Sequence, residues 1–109
     1  MNAPFAKTPE SVERLIVDLK DADESVRACA ALNLGSLGEV AAVPALLGLL
    51  RGGKVIDRRV AALALGKIGA SEAVHALLDT SEKDKNPGVR QLAFEALQNI
   101  APVANKRAA

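Results

Sequence analysis

The stretch VRACAALNLGSLG, residues 26–38, returns 31 residues later as DRRVAALALGKIG, residues 57–69. A weaker copy, VRQLAFEALQNIA at residues 89–101, follows after a step of 32. A period of this length constrains the fold more than any other feature. Self-similarity at roughly 20–50 residues marks stacked supersecondary units, none of which can bury its apolar face alone. The copies are held in register by Arg27 with Arg58 and Arg90, Ala30 with Ala61 and Ala93, and Leu34 with Leu65 and Leu97. The extra residue falls in KDKNPG, residues 83–88, where a turn absorbs an insertion without moving a packed side chain.

Each copy reads as a helix, because Val26, Cys29, Ala30, Leu34 and Leu37 recur three and four apart on one face, broken only by Asn33. Gly38 and Gly69 stand one position beyond the stripe, where glycine closes a helix in the left-handed conformation. Gly35 and Gly66 lie inside it, where glycine costs about 1 kcal/mol relative to alanine. Close approach of a second helix is the compensation expected there. A second helix type lies between the copies: Val12, Leu15, Ile16 and Leu19 return as Val43, Leu46, Leu47 and Leu50, then as Val74, Leu77, Leu78 and Ser81. With this type named B and the first named A, the order is B, A, B, A, B, A over about residues 9–20, 24–37, 41–51, 57–68, 72–81 and 87–100. Thr8-Pro9, Asp23 and Asn86-Pro87 supply starts. GGKVID, residues 52–57, puts Asp57 where the other copies have valine, so a late start of the fourth helix is expected there.

The predicted organisation is a tail over residues 1–8, one domain over 9–101 with units 9–38, 39–69 and 70–101, and a flexible basic tail over 102–109. A 109-residue chain of this kind buries a modest core. Half its residues are hydrophobic but only Phe5 and Phe94 are aromatic, so the core is aliphatic. The last A helix exchanges Leu32 and Leu63 for Glu95, and Ala28 and Arg59 for Gln91, as a polar cap would. Leu92 and Phe94 remain as contacts through which the last helix could pair two copies in a homodimer.

Helix pairs with a D-x-[DN]-x-x-V-R start and an A-A-x-x-L-G centre resemble the short HEAT-like repeats of the phycobilisome-lyase type. Asp21, Asp23, Val26, Arg27, Ala30, Ala31, Leu34 and Gly35 carry the resemblance, with Asp84, Asn86, Val89 and Arg90 in the third copy. It implies an all-α fold, a right-handed α-α superhelix (solenoid) of three HEAT-like hairpins and six helices, with the B helices on the concave side. It also implies that the arginine opening each A helix bridges repeats by meeting an acid of the preceding turn. Arg27 would meet Asp21 or Asp23, and Arg90 would meet Asp84, whereas Arg58 has no acid at the matching turn positions.

Little in the chain speaks for chemistry. There is one histidine, one cysteine and no tyrosine or tryptophan. His75 has no second ligand at metal spacing, Cys29 aligns with Val60 and Leu92 as a small core hydrophobe, and GGK at Gly52 lacks the remainder of a phosphate loop. No catalytic residue, metal or cofactor is expected. A net charge of +1 from 14 basic and 13 acidic residues provides no field to gather nucleic acid. Arg58-Arg59 and Lys106-Arg107 would give only weak contact with it. With no long apolar run and one cysteine, a soluble, reducing, cytoplasmic setting is expected and no membrane.

What remains is a protein partner. AAVPALLGLL, residues 41–50, has no charged or hydrogen-bonding side chain, so Ala41, Ala42, Ala45, Gly48 and Leu49 are expected to form an apolar strip beyond the packing stripe. Glu72, Ala76 and Asp79 would give it a polar rim in the third B helix. The expected function is a non-catalytic protein-protein interaction scaffold. The family resemblance implies the alternative of a bilin (tetrapyrrole) lyase-related or chromophore-handling subunit.

Overall fold

The computed structural model describes residues 8–100 and has no strand among them. It contains six α-helices: α1 (Pro9–Asp18), α2 (Glu24–Leu37), α3 (Val43–Gly52), α4 (Val55–Ile68), α5 (Val74–Lys83) and α6 (Pro87–Ile100). The expected tails fall almost wholly outside the described residues. The A helices α2, α4 and α6 pack side by side in one layer, and α1, α3 and α5 lie on them as hairpin partners. Three hairpins are therefore stacked in sequence order, 45 × 27 × 22 Å overall.

Local chemistry sets most boundaries. Thr8 Oγ1 accepts the Ser11 amide at 3.1 Å and Pro9 occupies the first helical position of α1. Asp23 Oδ1 accepts the Ser25 amide ahead of α2, and Asn86 Oδ1 accepts the Val89 amide at the start of α6. Gly38 and Gly69 close α2 and α4 at φ 67° and 74°, and the amides that follow them reach back to Leu34 and Leu65.

Three starts differ from the sequence expectation. The second and third B segments open with 3-10 turns at Val40–Ala42 and Ser71–Ala73 before the α-helix begins. The fourth helix starts early, at Val55, because Asp57 sits in its first turn and its Oδ2 reaches back to accept the Lys54 amide at 2.9 Å. Gly53 makes this possible: a Cβ there would collide with Asp57 Cβ and with the Leu49 carbonyl oxygen.

The core is small and aliphatic. Leu34, Leu46, Leu65 and Leu77 are fully buried, and alanines at positions 31, 61, 62, 64, 73 and 93 let the helices approach. The two internal glycines mark the closest points. A Cβ on Gly35 would lie 2.9 Å from Ala64 Cα, and one on Gly66 would lie 2.8 Å from Ala96 Cα. The expected close approach is thus present twice, α4 pressing on α2 and α6 on α4.

Candidate functional site

The arginines of the repeat bridge neighbouring units, but in the direction opposite to the one the resemblance implies. Arg27 Nε and Nη2 donate to Asp57 Oδ1 and Oδ2 at 2.9 and 3.2 Å, so the carboxylate comes from the following repeat. Its Nη1 is spent on the carbonyl oxygens of Asp21 and Ala22. The Asp21 and Asp23 carboxylates take backbone amides of their own turn instead. Arg58 repeats the pattern with Asp84, at 2.8 and 3.1 Å, and sends Nη1 to the Gly53 carbonyl. Arg58 therefore does have an acid, one repeat ahead. Arg90 meets Asp84 only through its backbone, donating from Nη1 to the carbonyl oxygens of Asp84 and Lys85.

The physical cause of the uneven rungs lies in one substitution. Asp21 and Asp84 occupy the same turn position, and the middle copy has Gly52 there. Asp57 replaces the missing turn acid from the valine position. It is 3 % exposed, the only buried charged residue among those described. Burial pushes its carboxyl pKa up, but the Arg27 hydrogen bonds and the Lys54 amide outweigh this and hold it below the usual carboxylate range. The Arg58 hydrogen bonds likewise hold Asp84 low against burial, helped by the Asn86 amide.

The B layer is open by comparison. The residues expected to form the apolar strip and its polar rim divide between two grooves. Ala41, Ala45, Gly48 and Leu49 line the space between α3 and α1, facing Ile16 and Leu19, with Lys20 at the edge. Ala76 and Asp79 line the space between α5 and α3, where Arg51, Lys83 and Lys85 make the surroundings charged. Glu72 is exposed outside both grooves. One residue of the expected strip, Ala42, and one of its expected rim, Ala76, are nearly closed to solvent. Ala42 is fully buried because the 3-10 turn advances its side chains about 120° per residue rather than 100° and swings it inward. Ala76 is 9 % exposed, at the base of the groove between α5 and α3. Asp79 is exposed and paired with Lys83 at 3.0 Å.

Cys29 corrects a further expectation. It is exposed, although the equivalent Val60 is buried. Its equivalence to Val60 and Leu92 predicts a core position, but α2 is the first A helix and no further A helix stacks on that side of it among the described residues. Leu92 is half-buried and Phe94 is 51 % exposed at the opposite end of the stack. His75 is exposed on α5. Among the described residues no three histidine, cysteine or acidic side chains gather as a metal site, and no helix is long and apolar enough to cross a membrane.

Residues 57–82, from the first turn of α4 nearly to the end of α5, match the family model of the PBS lyase HEAT-like repeat. This is the repeat type that the D-x-[DN]-x-x-V-R and A-A-x-x-L-G patterns resemble. No curated protein gives a significant match to the chain.

Proposed function

We propose that this protein is a non-catalytic protein-binding scaffold, and that its binding surface is the B layer, centred on the groove between α1 and α3. The observation that carries this reading is the composition of that groove. Ala41, Pro44, Ala45, Gly48 and Leu49 meet Ile16 and Leu19 across it, with a lysine as the only charge. An apolar trough of small residues accepts the ridge of an amphipathic helix, and small side chains let its backbone come close. The neighbouring groove, with Arg51 and Lys83 facing Asp79 and Asp84, would select a partner with charges of both signs beside the apolar ridge.

The test is Ala45→Glu, which places a carboxylate on the floor of the trough. Partners captured by the wild-type chain are expected to be lost with the variant, while its helical circular dichroism stays unchanged. Retention of every partner would remove α3 as the contact. The lyase in the name of the matched repeat supports a second reading, the handling of a tetrapyrrole. Titration with free bilin separates the two, because a scaffold leaves the absorption spectrum of the pigment unshifted.

A further inference from the structure

We propose that this protein associates head to tail with a second copy of itself, the outer face of α6 seating on the outer face of α2. The proposal uses the two ends of the stack and is independent of the grooves of the B layer. Its template is the pair of interfaces already inside the molecule, α2 with α4 and α4 with α6.

Each internal interface has a donor side and an acceptor side. The donor side carries an arginine fork, a buried alanine (Ala31 or Ala62) and a buried leucine (Leu34 or Leu65). On α6 the same positions are Arg90, Phe94 and Leu97; no further helix among the described residues stacks on them, although Leu97 is partly buried against the core on its inner side. Phe94 is 51 % exposed where Ala31 and Ala62 are fully buried. Arg90 fixes Nη1 on two carbonyl oxygens, as Arg27 does, so its guanidinium is oriented like the other two. Its Nε and Nη2, the atoms that hold a carboxylate in Arg27 and Arg58, have no partner among the described residues.

The acceptor half is present at the other end. On α2 the positions of Asp57, Val60 and Ala64, all buried against α2, are held by Val26, Cys29 and Asn33. These three line an apolar depression with Leu15 and Leu32. Asp21 stands where Asp84 stands in the third unit. One Asp21 oxygen accepts the Asp23 amide, as Asp84 Oδ1 accepts the Asn86 amide, and the second oxygen has no partner among the described residues. A copy placed on α6 as α6 is placed on α4 therefore brings the Asp21 carboxylate to the open Arg90 fork. One chain carries both halves, opposite in charge and matched in register.

The new contact is looser than the internal ones. Gln98 holds the position of Gly35 and Gly66, and Asn33 that of Ala64 and Ala96, so an amide pair replaces a glycine-alanine contact and spaces the helices further apart. Reversible association follows, and because the two faces differ it does not close at two copies.

The experiment is sedimentation equilibrium of the full chain over a concentration series, with thiol labelling of Cys29 alongside. The weight-average mass is expected to climb from 11.3 kDa past twice that value, and the labelling rate of Cys29 to fall in step as it is covered. Asp21→Lys spoils only the α2 face and Phe94→Glu only the α6 face, both at exposed positions. Each variant alone is expected to sediment as one chain, and an equal mixture as two chains and no more. A mass of 11.3 kDa at every concentration overturns the proposal and leaves the end faces to the chain's own flanking residues or to another protein. A dimer that survives Asp21→Lys and is lost in Phe94→Glu also overturns it, in favour of symmetric pairing through α6.

Discussion

Asp57 is the residue on which the middle of the molecule turns. It caps the first turn of α4 and closes the Arg27 fork, two tasks that Asp84 shares with Asn86 in the third unit. Asp57→Val restores the residue of the other copies, yet it strands a partly buried arginine fork and an amide. A cost of about 2–4 kcal/mol is expected, the low side of buried-pair losses because Arg27 keeps some solvent. Arg27→Met in the same chain should recover most of it, which chemical denaturation of the single and double variants measures. The pH dependence has a fixed sign. Both Asp57 and Asp84 have folded pKa values below the unfolded reference of about 3.9. Their contribution is thus complete above about pH 5 and is lost as pH falls through the folded values. Thermal melts between pH 7 and 3 should show this loss, with a shallower slope in the Asp57→Val, Arg27→Met double variant.

The glycines separate two effects of opposite sign. At Gly35 and Gly66 a methyl group meets backbone of the next helix, so alanine is expected to destabilise by about 1–3 kcal/mol despite a helix-propensity gain of up to about 1 kcal/mol. At Gly48 nothing lies within 4 Å, and alanine should stabilise by about 0.5–1 kcal/mol. Denaturant midpoints of the three variants test the contrast. The close approach at these positions was legible from glycine inside an apolar stripe. The partners of the arginines were not, because each carboxylate lies 26 or 30 residues ahead and only stacking brings it near.

At the scale of elements, helix type and order follow from the three-and-four spacing of the aliphatic residues, and the stops follow from Gly38 and Gly69. Phase within a B segment does not. The 3-10 entries rotate Ala42 and Ala73 into the core, and no residue in EVAAV or ASEAV announces the change of pitch. Cys29 was misplaced for a different reason: equivalence within a repeat gives a side chain's direction, and burial depends on whether a neighbour stands there. The same logic ranks the helices by stability. No residue of α1 is fully buried, whereas α4 buries seven and is flanked on both sides. Amide hydrogen exchange should therefore be fastest along α1 and slowest along α4, by two or more orders of magnitude. Equal protection along both helices would show that the stack opens as one unit.

On the scale of the whole molecule, the layer of A helices is tight and the layer of B helices is not. The glycine-alanine contacts hold α2, α4 and α6 backbone to backbone, and the ion pairs Arg27–Asp57 and Arg58–Asp84 bind the same edge. On the far edge α3 and α5 touch sparsely, and the gap between α1 and α3 is wide enough to form a groove. A stack clasped along one side behaves like a bound book: its spine keeps its length while its pages fan. Bending the molecule thus widens or narrows both troughs together, so a ligand wedged between one pair of leaves would preset the width of the other.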